Sequence, residues 1–494
     1  MNFLNHSFLT KNIRLFAFLL IITVASCKKD RNNESLVQGP NLNFYALTSD
    51  SKLLTFNANN PNVITGQVNI TGLQTGEILL GIDFRPATGQ LYGVGSSSRI
   101  YVVDYKTGVA RAINSTAFTP ALSGTTPVGF DFNPTVDRIR LVTSTGQNLR
   151  LNPETGTIAA IDGVINGAAN ARVNSVAYTQ NRAGATTTIL YDIDVVNKKL
   201  YKQDPPNDGK LVEVGNLTVS ADEANDFDIS PDGASALASL TVGGQVGLYT
   251  IDLNSGKAAK IGNLPVNIIG LAIPTDPVAY SISVNNELLI FNPLNPVPVA
   301  KPIMGMQTGE TVLGIDFRPV NGQLYALGST SRLYTINTSS GMASQVGTGQ
   351  LSTLLSGTKF GFDFNPTVDR IRVISNTGLN LRLNPNDGAV AAVDGNISIT
   401  TAAVTAAAYT NNVAGATTTV LYDIDPVSGT LYKQDPPNNG TITVVGTLGA
   451  TGNADAGFDI GGTSGLAYAL FSTGTTSRIY GINLQTGAAT AGQA

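Results

Sequence analysis

The chain has 494 residues, of which 42% are apolar and only 13% charged, with 52 glycines and a formal charge of −4. It holds one histidine (His6), one cysteine (Cys27) and no tryptophan. Once the N-terminal segment is removed, zinc sites, Ser-His-Asp triads and Cys-His dyads have no residues to be built from, and without a long basic run no nucleic-acid partner is expected.

Lys11 and Arg14 precede an apolar run from Leu15 to Ala25, which ends in Val24-Ala25-Ser26-Cys27. A positive region, a short apolar core and small residues before a cleavage point make residues 1–26 a secretory signal. The run is too short to be read first as a membrane-spanning helix. Val-Ala-Ser-Cys resembles the lipobox of bacterial lipoproteins. By that resemblance the Cys27 thiol takes a diacylglyceryl group and becomes the new N-terminus, and loss of Lys11 and Arg14 brings the charge to −6. Several acyl chains anchor a protein where one does not. Lys28 stands where an aspartate would signal inner-membrane retention, so the resemblance implies the outer membrane, at its periplasmic face or at the cell surface. Residues 27–42, the lipidated cysteine and a polar stretch with little to bury, read as a flexible tether.

From residue 43 onward the sequence reads as short strands joined by Gly, Pro, Asn and Thr turns. A unit such as Gly81-Ile-Asp-Phe-Arg-Pro, Leu91-Tyr-Gly-Val, Arg99-Ile-Tyr-Val-Val-Asp and Val109 to Ile113 spells four antiparallel strands, one blade of a β-propeller. Further units follow at Gly129 to Ile161, Val173 to Val214 and Asn225 to Ile261, and Phe44–Leu47 with Leu53–Asn57 opens the first. The series then repeats. Gly129 to Pro153 returns as Gly361 to Pro385 with 20 of 25 positions identical. The fold class is therefore all-β, a tandem β-propeller of two five-bladed rings of four-stranded blades, over residues 43–275 and 276–494. Ile268 to Ile273 suits the inner strand that the first blade lacks, but it also precedes Val278 to Ser283 at hairpin spacing. Either ring has a claim on it, and one ring must lack an inner strand.

Gly-Ile-Asp-Phe-Arg-Pro, Gly-Phe-Asp-Phe-Asn-Pro-Thr-Val-Asp-Arg-Ile-Arg and Asn-Leu-Arg-Leu-Asn-Pro resemble the bacterial family known as domain of unknown function 4394, as does the opening Phe-Tyr-Ala-Leu-Thr-Ser. The resemblance covers two tandem copies. It implies exported, propeller-like domains and lends no catalytic residues. The second copy departs from the pattern in lacking a closing Gly-Leu-Ala-Ile-Pro segment.

Each copy sets aspartates at equivalent inner-strand positions: Asp83, Asp131 and Asp228, then Asp316, Asp363 and Asp459. Three such oxygen donors round an axis suit a calcium ion, and two at a defined separation suit a glycosidase. A site needs one set of residues, however, so recurrence in successive blades favours a structural role, with each carboxylate bonded to backbone or to arginine. On that reading Asp131→Asn destabilises the first copy. Arg138 and Arg140, with Arg150, recur as Arg370 and Arg372, with Arg382. They form either a clamp for an anion or an ion-pair network between blades, with Arg85 (Arg318 in the second copy) or Arg140 facing an inner aspartate. No Gly-rich loop opens a helix, so no nucleotide cofactor is expected. The expected function is a lipid-anchored, non-enzymatic binding or scaffold module of the cell envelope. Its partners are the membrane through the lipid and an envelope protein, glycan or small ligand; the alternatives are a glycosidase-like hydrolase and a calcium-dependent surface-binding protein.

Overall fold

Each unit of the repeat folds into one antiparallel sheet whose strands run in sequence order from the axis outward, except in the opening unit, whose inner strand comes from residues 270–272. The computed structural model describes residues 36–124, 127–398, 403–473 and 476–492. The expected signal segment and Cys27 lie outside them. Among the described residues there are nine four-stranded sheets and one three-stranded sheet.

In the first ring the inner strands are Gly270–Ala272 (blade 1), Leu79–Phe84 (blade 2), Gly129–Asn133 (blade 3), Val173–Tyr178 (blade 4) and Glu223–Ile229 (blade 5). Each lies beside the next, and Gly270–Ala272 lies between blades 5 and 2, which closes the circle. Gly270–Ala272 pairs antiparallel with Asn43–Leu47, with Leu271 opposite Ala46. The contested segment thus belongs to the first ring, and the end of that copy is fastened to its beginning.

Blade packing follows from the period of two along each strand. Ile82 and Phe84 bury against Leu47 and Leu53 of blade 1. The other face carries Gly81 and Asp83, and a Cβ on Gly81 would lie 2.9 Å from the Cβ of Phe130 in blade 3. Glycine there lets two inner strands approach closely enough for the next aspartate to reach across. Apolar clusters fill all five interfaces of the first ring.

The second ring repeats this plan with one omission. Blade 6 has three strands, Ala279–Ile282, Glu287–Asn292 and Asn295–Pro302, and Ala279–Ile282 is its inner edge. Blades 7 to 10 begin with Val312–Arg318, Phe360–Asn365, Ala406–Tyr409 and Ala456–Ile460. Apolar clusters join blades 6 to 7, 7 to 8, 8 to 9 and 9 to 10. Among the described residues no such cluster joins blade 10 to blade 6.

The rings touch along one side. Arg85 donates to the Gly322 carbonyl at 3.0 Å, the Tyr280 hydroxyl to the Ala87 carbonyl at 2.9 Å, and Lys106 to the Thr463 carbonyl. Ala183 of blade 4 packs on the cluster of blades 6 and 7.

Closure by Gly270–Ala272 predicts a steric test. A Cβ on Gly270 would lie 3.0 Å from Leu47 Cβ and 3.2 Å from Ile82 Cγ1. Gly270→Val should therefore destabilise the first ring by about 1–3 kcal/mol through overpacking, read as a lowered melting temperature. An unchanged melting temperature would contradict the closure.

Candidate functional site: two axial carboxylate clusters

Alternation on the inner strands brings Asp83, Asp131 and Asp228 together at the axis of the first ring, and Asp316, Asp363 and Asp459 at the axis of the second. In each trio the three carboxylates offer oxygens within 4.8 Å of one another. All but Asp459 are buried. Blades 4 and 1 present Ala177 and Ala272 at the corresponding positions, so the first trio is an incomplete ring.

The carboxylates bind backbone, mostly of the following blade. Asp83 accepts the N–H of Phe84 at 2.7 Å and that of Phe132 in blade 3 at 2.8 Å. Asp131 accepts the N–H of Tyr178 in blade 4 at 3.1 Å. Asp228 accepts from Ile229 and, across the closure, from Ile273, both at 2.6 Å. Asp226, two residues earlier, accepts from Phe227 at 2.9 Å and from Leu271 at 2.7 Å. Ser175 of blade 4, with no aspartate beside it, donates its hydroxyl to the Ala224 carbonyl at 3.1 Å. In the second ring Asp316 accepts from Phe317 and Phe364, each at 2.7 Å, and Asp363 from Tyr409 at 3.0 Å. Asp459 accepts from its own neighbour Ile460 at 2.6 Å, and among the described residues no strand supplies a second donor there.

These bonds favour the ionised form, but burial and crowding outweigh them. Burial first, and then the charge of Asp228, holds Asp83 well above the usual carboxylate range. Burial, then Asp83 and Asp228, does the same for Asp131. Burial raises Asp228 to about 7 against the pull of the Ile273 and Ile229 amides. Burial followed by the charge of Asp459 raises Asp316, and burial followed by Asp316 and Asp459 raises Asp363. Asp459 is also raised by desolvation, although its side chain reaches the surface.

The arginines do not face these aspartates, contrary to the sequence expectation for Arg85 and Arg140. Arg85 is fully buried and pairs with Asp137, its Nε 2.9 Å from Oδ1, and with Glu154 at 3.1 Å. Asp137 sits in a tight turn at φ 49°, which aims its carboxylate back at blade 2. Arg318 repeats the fork with Asp369. Arg140, 1% exposed, donates to Asp162 at 2.6 Å, Asn148 at 2.8 Å, Asn207 at 2.8 Å and the Tyr178 hydroxyl at 3.2 Å. Arg150 closes a fork on the same Asp162 at 2.7 and 2.9 Å. Arg372, Arg382 and Asp394 reproduce the unit. Burial pushes Asp394 up, yet its bonds to Arg382 and Arg372 more than offset this and hold it below the usual range. Arg138 and Arg140 form no anion clamp. Arg140 is committed to Asp162, while Arg138 donates to the Asp137 carbonyl at 2.8 Å and, with Glu154, Gln323 and Met342, lines a polar groove of about 350 Å³ between the rings. Arg370 likewise bonds the Asp369 carbonyl at 2.8 Å.

Sequence reasoning missed Asp192 and its twin Asp423. Both are completely buried in the second strand of blades 4 and 9, and neither oxygen of either meets a donor of the protein. Burial raises Asp192, with Arg140 opposing it, and lifts Asp423 to about 8 against Arg372. Burial thus favours the protonated form of Asp423. The available signal was Leu-Tyr-Asp-Ile-Asp, present in both copies at 190–194 and 421–425.

Ring closure, sheet order and paired axial clusters define a tandem pair of five-bladed β-propellers. The chain belongs to the family described as Domain of unknown function (DUF4394), which matches it at residues 52–272 and again at 287–494. No curated protein matches it. Among solved structures it is similar to the Dos1 propeller, with 11% identity and a TM-score of 0.26 over 68% of this chain and 90% of that one. It is also similar to the extracellular domain of a protein described as a hybrid two-component system, BT4673 of B. thetaiotaomicron, with 10% identity and a TM-score of 0.26 over 94% of this chain and 66% of that one. Overlaps this low add nothing to the fold described above.

The raised carboxyls make stability depend on pH with a fixed sign. Each holds its proton more tightly folded than unfolded, so its contribution is complete below the unfolded value near ~4 and is lost as pH rises through the folded values, about 7 for Asp228. Asp131 has one oxygen on the Tyr178 amide, which an asparagine carbonyl also accepts. The geometry thus reverses the sign expected from the sequence. Asp131→Asn should raise the melting temperature at pH 8 and flatten its fall between pH 4 and 8. A lower melting temperature at pH 8 would mean that the negative charge is needed there.

Proposed function

We propose that the protein is exported, lipidated at Cys27 and held at the outer membrane, where its two propellers act as a non-enzymatic binding or scaffold module. The observation that carries the non-enzymatic part is the commitment of the axial carboxylates to backbone amides of their own and neighbouring blades. Asp83 and Asp228 spend both oxygens in this way, and the arrangement occurs in both rings. A general acid or nucleophile needs a carboxylate free to meet substrate. Cys27, the sole cysteine, preceded by Val-Ala-Ser, supports the address. No helix of the described residues is long and apolar enough to cross a membrane.

The calcium-dependent alternative draws on the same trio. A calcium ion takes six to eight oxygens, and here three carboxylates converge with alanines in the two remaining blades of the first ring. On the scaffold reading, melting temperatures in chelator and in millimolar calcium differ only slightly. A large rise with calcium that disappears in Asp131→Asn would overturn it, because preferential binding to the folded state raises stability.

The anchor has its own test. Cys27→Ser should leave the protein without acyl chains and move it from the detergent phase to the aqueous phase on partitioning. A variant that still partitions like the wild type would remove the lipoprotein assignment.

A further inference from the structure

The two rings supply their own comparison. In the first, Gly270–Ala272 lies between the inner strands of blades 5 and 2 and hydrogen bonds to Asn43–Leu47. In the second, Ala279–Ile282 occupies the place of Asn43–Leu47, Tyr280 matching Tyr45 and Ile282 matching Leu47, and among the described residues no strand pairs with its axial edge. The place has not collapsed. Ala279–Ile282 stays beside Val312–Arg318 as Asn43–Leu47 stays beside Leu79–Phe84, and the inner strands of blades 8 and 10 approach each other as those of blades 3 and 5 do.

The walls of this slot are apolar and less covered than those of the first ring. Leu47, Ile82 and Leu237 are fully buried by the strand in the first ring, whereas their counterparts Ile282, Ile315 and Tyr468 are only half-buried. Polar groups are left over as well. The Ile269 amide donates to the Leu47 carbonyl at 2.7 Å and the Ile273 amide to Asp228. The matching acceptors are the Ile282 carbonyl and Asp459, whose side chain is exposed and whose one backbone donor is its own neighbour.

We propose that the second ring is an acceptor for an extended polypeptide strand supplied by another protein, which inserts between blades 10 and 7 and pairs with Ala279–Ile282. Strand addition of this kind takes affinity from main-chain hydrogen bonds and specificity from pockets for alternate side chains. The first ring states the chemistry of the occupant. Leu271 and Ile273 turn to blade 5, against Leu237 and Leu248, whose counterparts in blade 10 are Tyr468 and Ile479. Gly270 and Ala272 turn to blade 2, where a Cβ on Gly270 would press on Leu47 and Ile82. The partner strand therefore alternates large aliphatic residues with glycine or alanine and carries no charge in its central four positions. It has no proline where a strand amide must reach the Ile282 carbonyl or Asp459.

This deepens the binding-module reading by naming the class of partner, and its test is separate from the one at Cys27. The probe is a labelled peptide of residues 267–275, Asn-Ile-Ile-Gly-Leu-Ala-Ile-Pro-Thr, with terminal lysines for solubility, titrated against the mature protein by fluorescence anisotropy. The expected result is saturable binding at one peptide per chain. Replacing the peptide's glycine by leucine, or Ile282→Asp in the protein, should weaken it at least tenfold, and Asp459→Ala should weaken it severalfold. Photo-crosslinks should fall on blades 6, 7 and 10. The peptide variant keeps the test decisive if a protein variant fails to fold. Absence of saturable binding, indifference to the glycine replacement, or crosslinks to blade 1 by exchange with the resident strand would each overturn the proposal. So would a dimer in sedimentation that the peptide cannot dissociate, since a second copy would then fill the slot.

Discussion

The bond from a backbone N–H of one blade to an aspartate of the blade before it is the contact on which the rings depend. A propeller has no continuous sheet round its axis, so adjacent inner strands must be joined by side chains. In blades 2 and 3 a glycine two residues earlier lets the strands come close, and the carboxylate then spans the gap, as Asp83 does to the Phe132 amide. Buried polar groups must find partners, and each bridge satisfies an inner-strand amide, as Asp83 does for Phe132 and Asp131 for Tyr178. The consequence is crowding. Three carboxylates at one axis repel, and they hold protons at a pH where isolated aspartates have lost them. The bridges hold the ring while the charges strain it, which places the pH sensitivity of the fold at its centre.

Much of this was legible in the sequence. A period of two in Gly-Ile-Asp-Phe and its relatives, with turn residues at blade spacing, identified strands, blades and the inner position of the aspartates. The duplication of residues 129–153 as 361–385 identified two copies. Ownership of Ile268–Ile273 was not legible, because that segment flanks both copies. The structure gives it to the first ring, and the residues that follow agree. Pro274 and Pro277 lack donors and restrict the residues before them to extended backbone, so the chain continues outward to blade 6 without a tight hairpin. The partners of the arginines were hidden for a different reason. Asp137 and Asp162 lie at turns and strand ends, where pattern carries little information about direction. The left-handed backbone of Asp137 is what turns its carboxylate onto Arg85.

The difference between the rings is written in their composition. Asp226 bonds the Leu271 amide in the closed ring, and its counterpart in the open ring is Gly457. At that one position, where among the described residues no strand offers an amide, a glycine stands in place of the carboxylate. Asp459 is retained, reaching a surface that its twin Asp228 never meets. Among the described residues, one copy is therefore a closed ring, and the other has a place beside Ala279–Ile282 that no strand fills.

Residue-resolved amide hydrogen exchange of the folded protein tests the central claim most directly, because it reads the bridges one at a time. The account predicts that the amides of Phe132, Tyr178, Leu271 and Ile273 exchange as slowly as those in the middle of the sheets, through global or near-global opening. Exchange of these four at the rate of exposed loop amides would contradict it, because the axial carboxylates would then be holding nothing together.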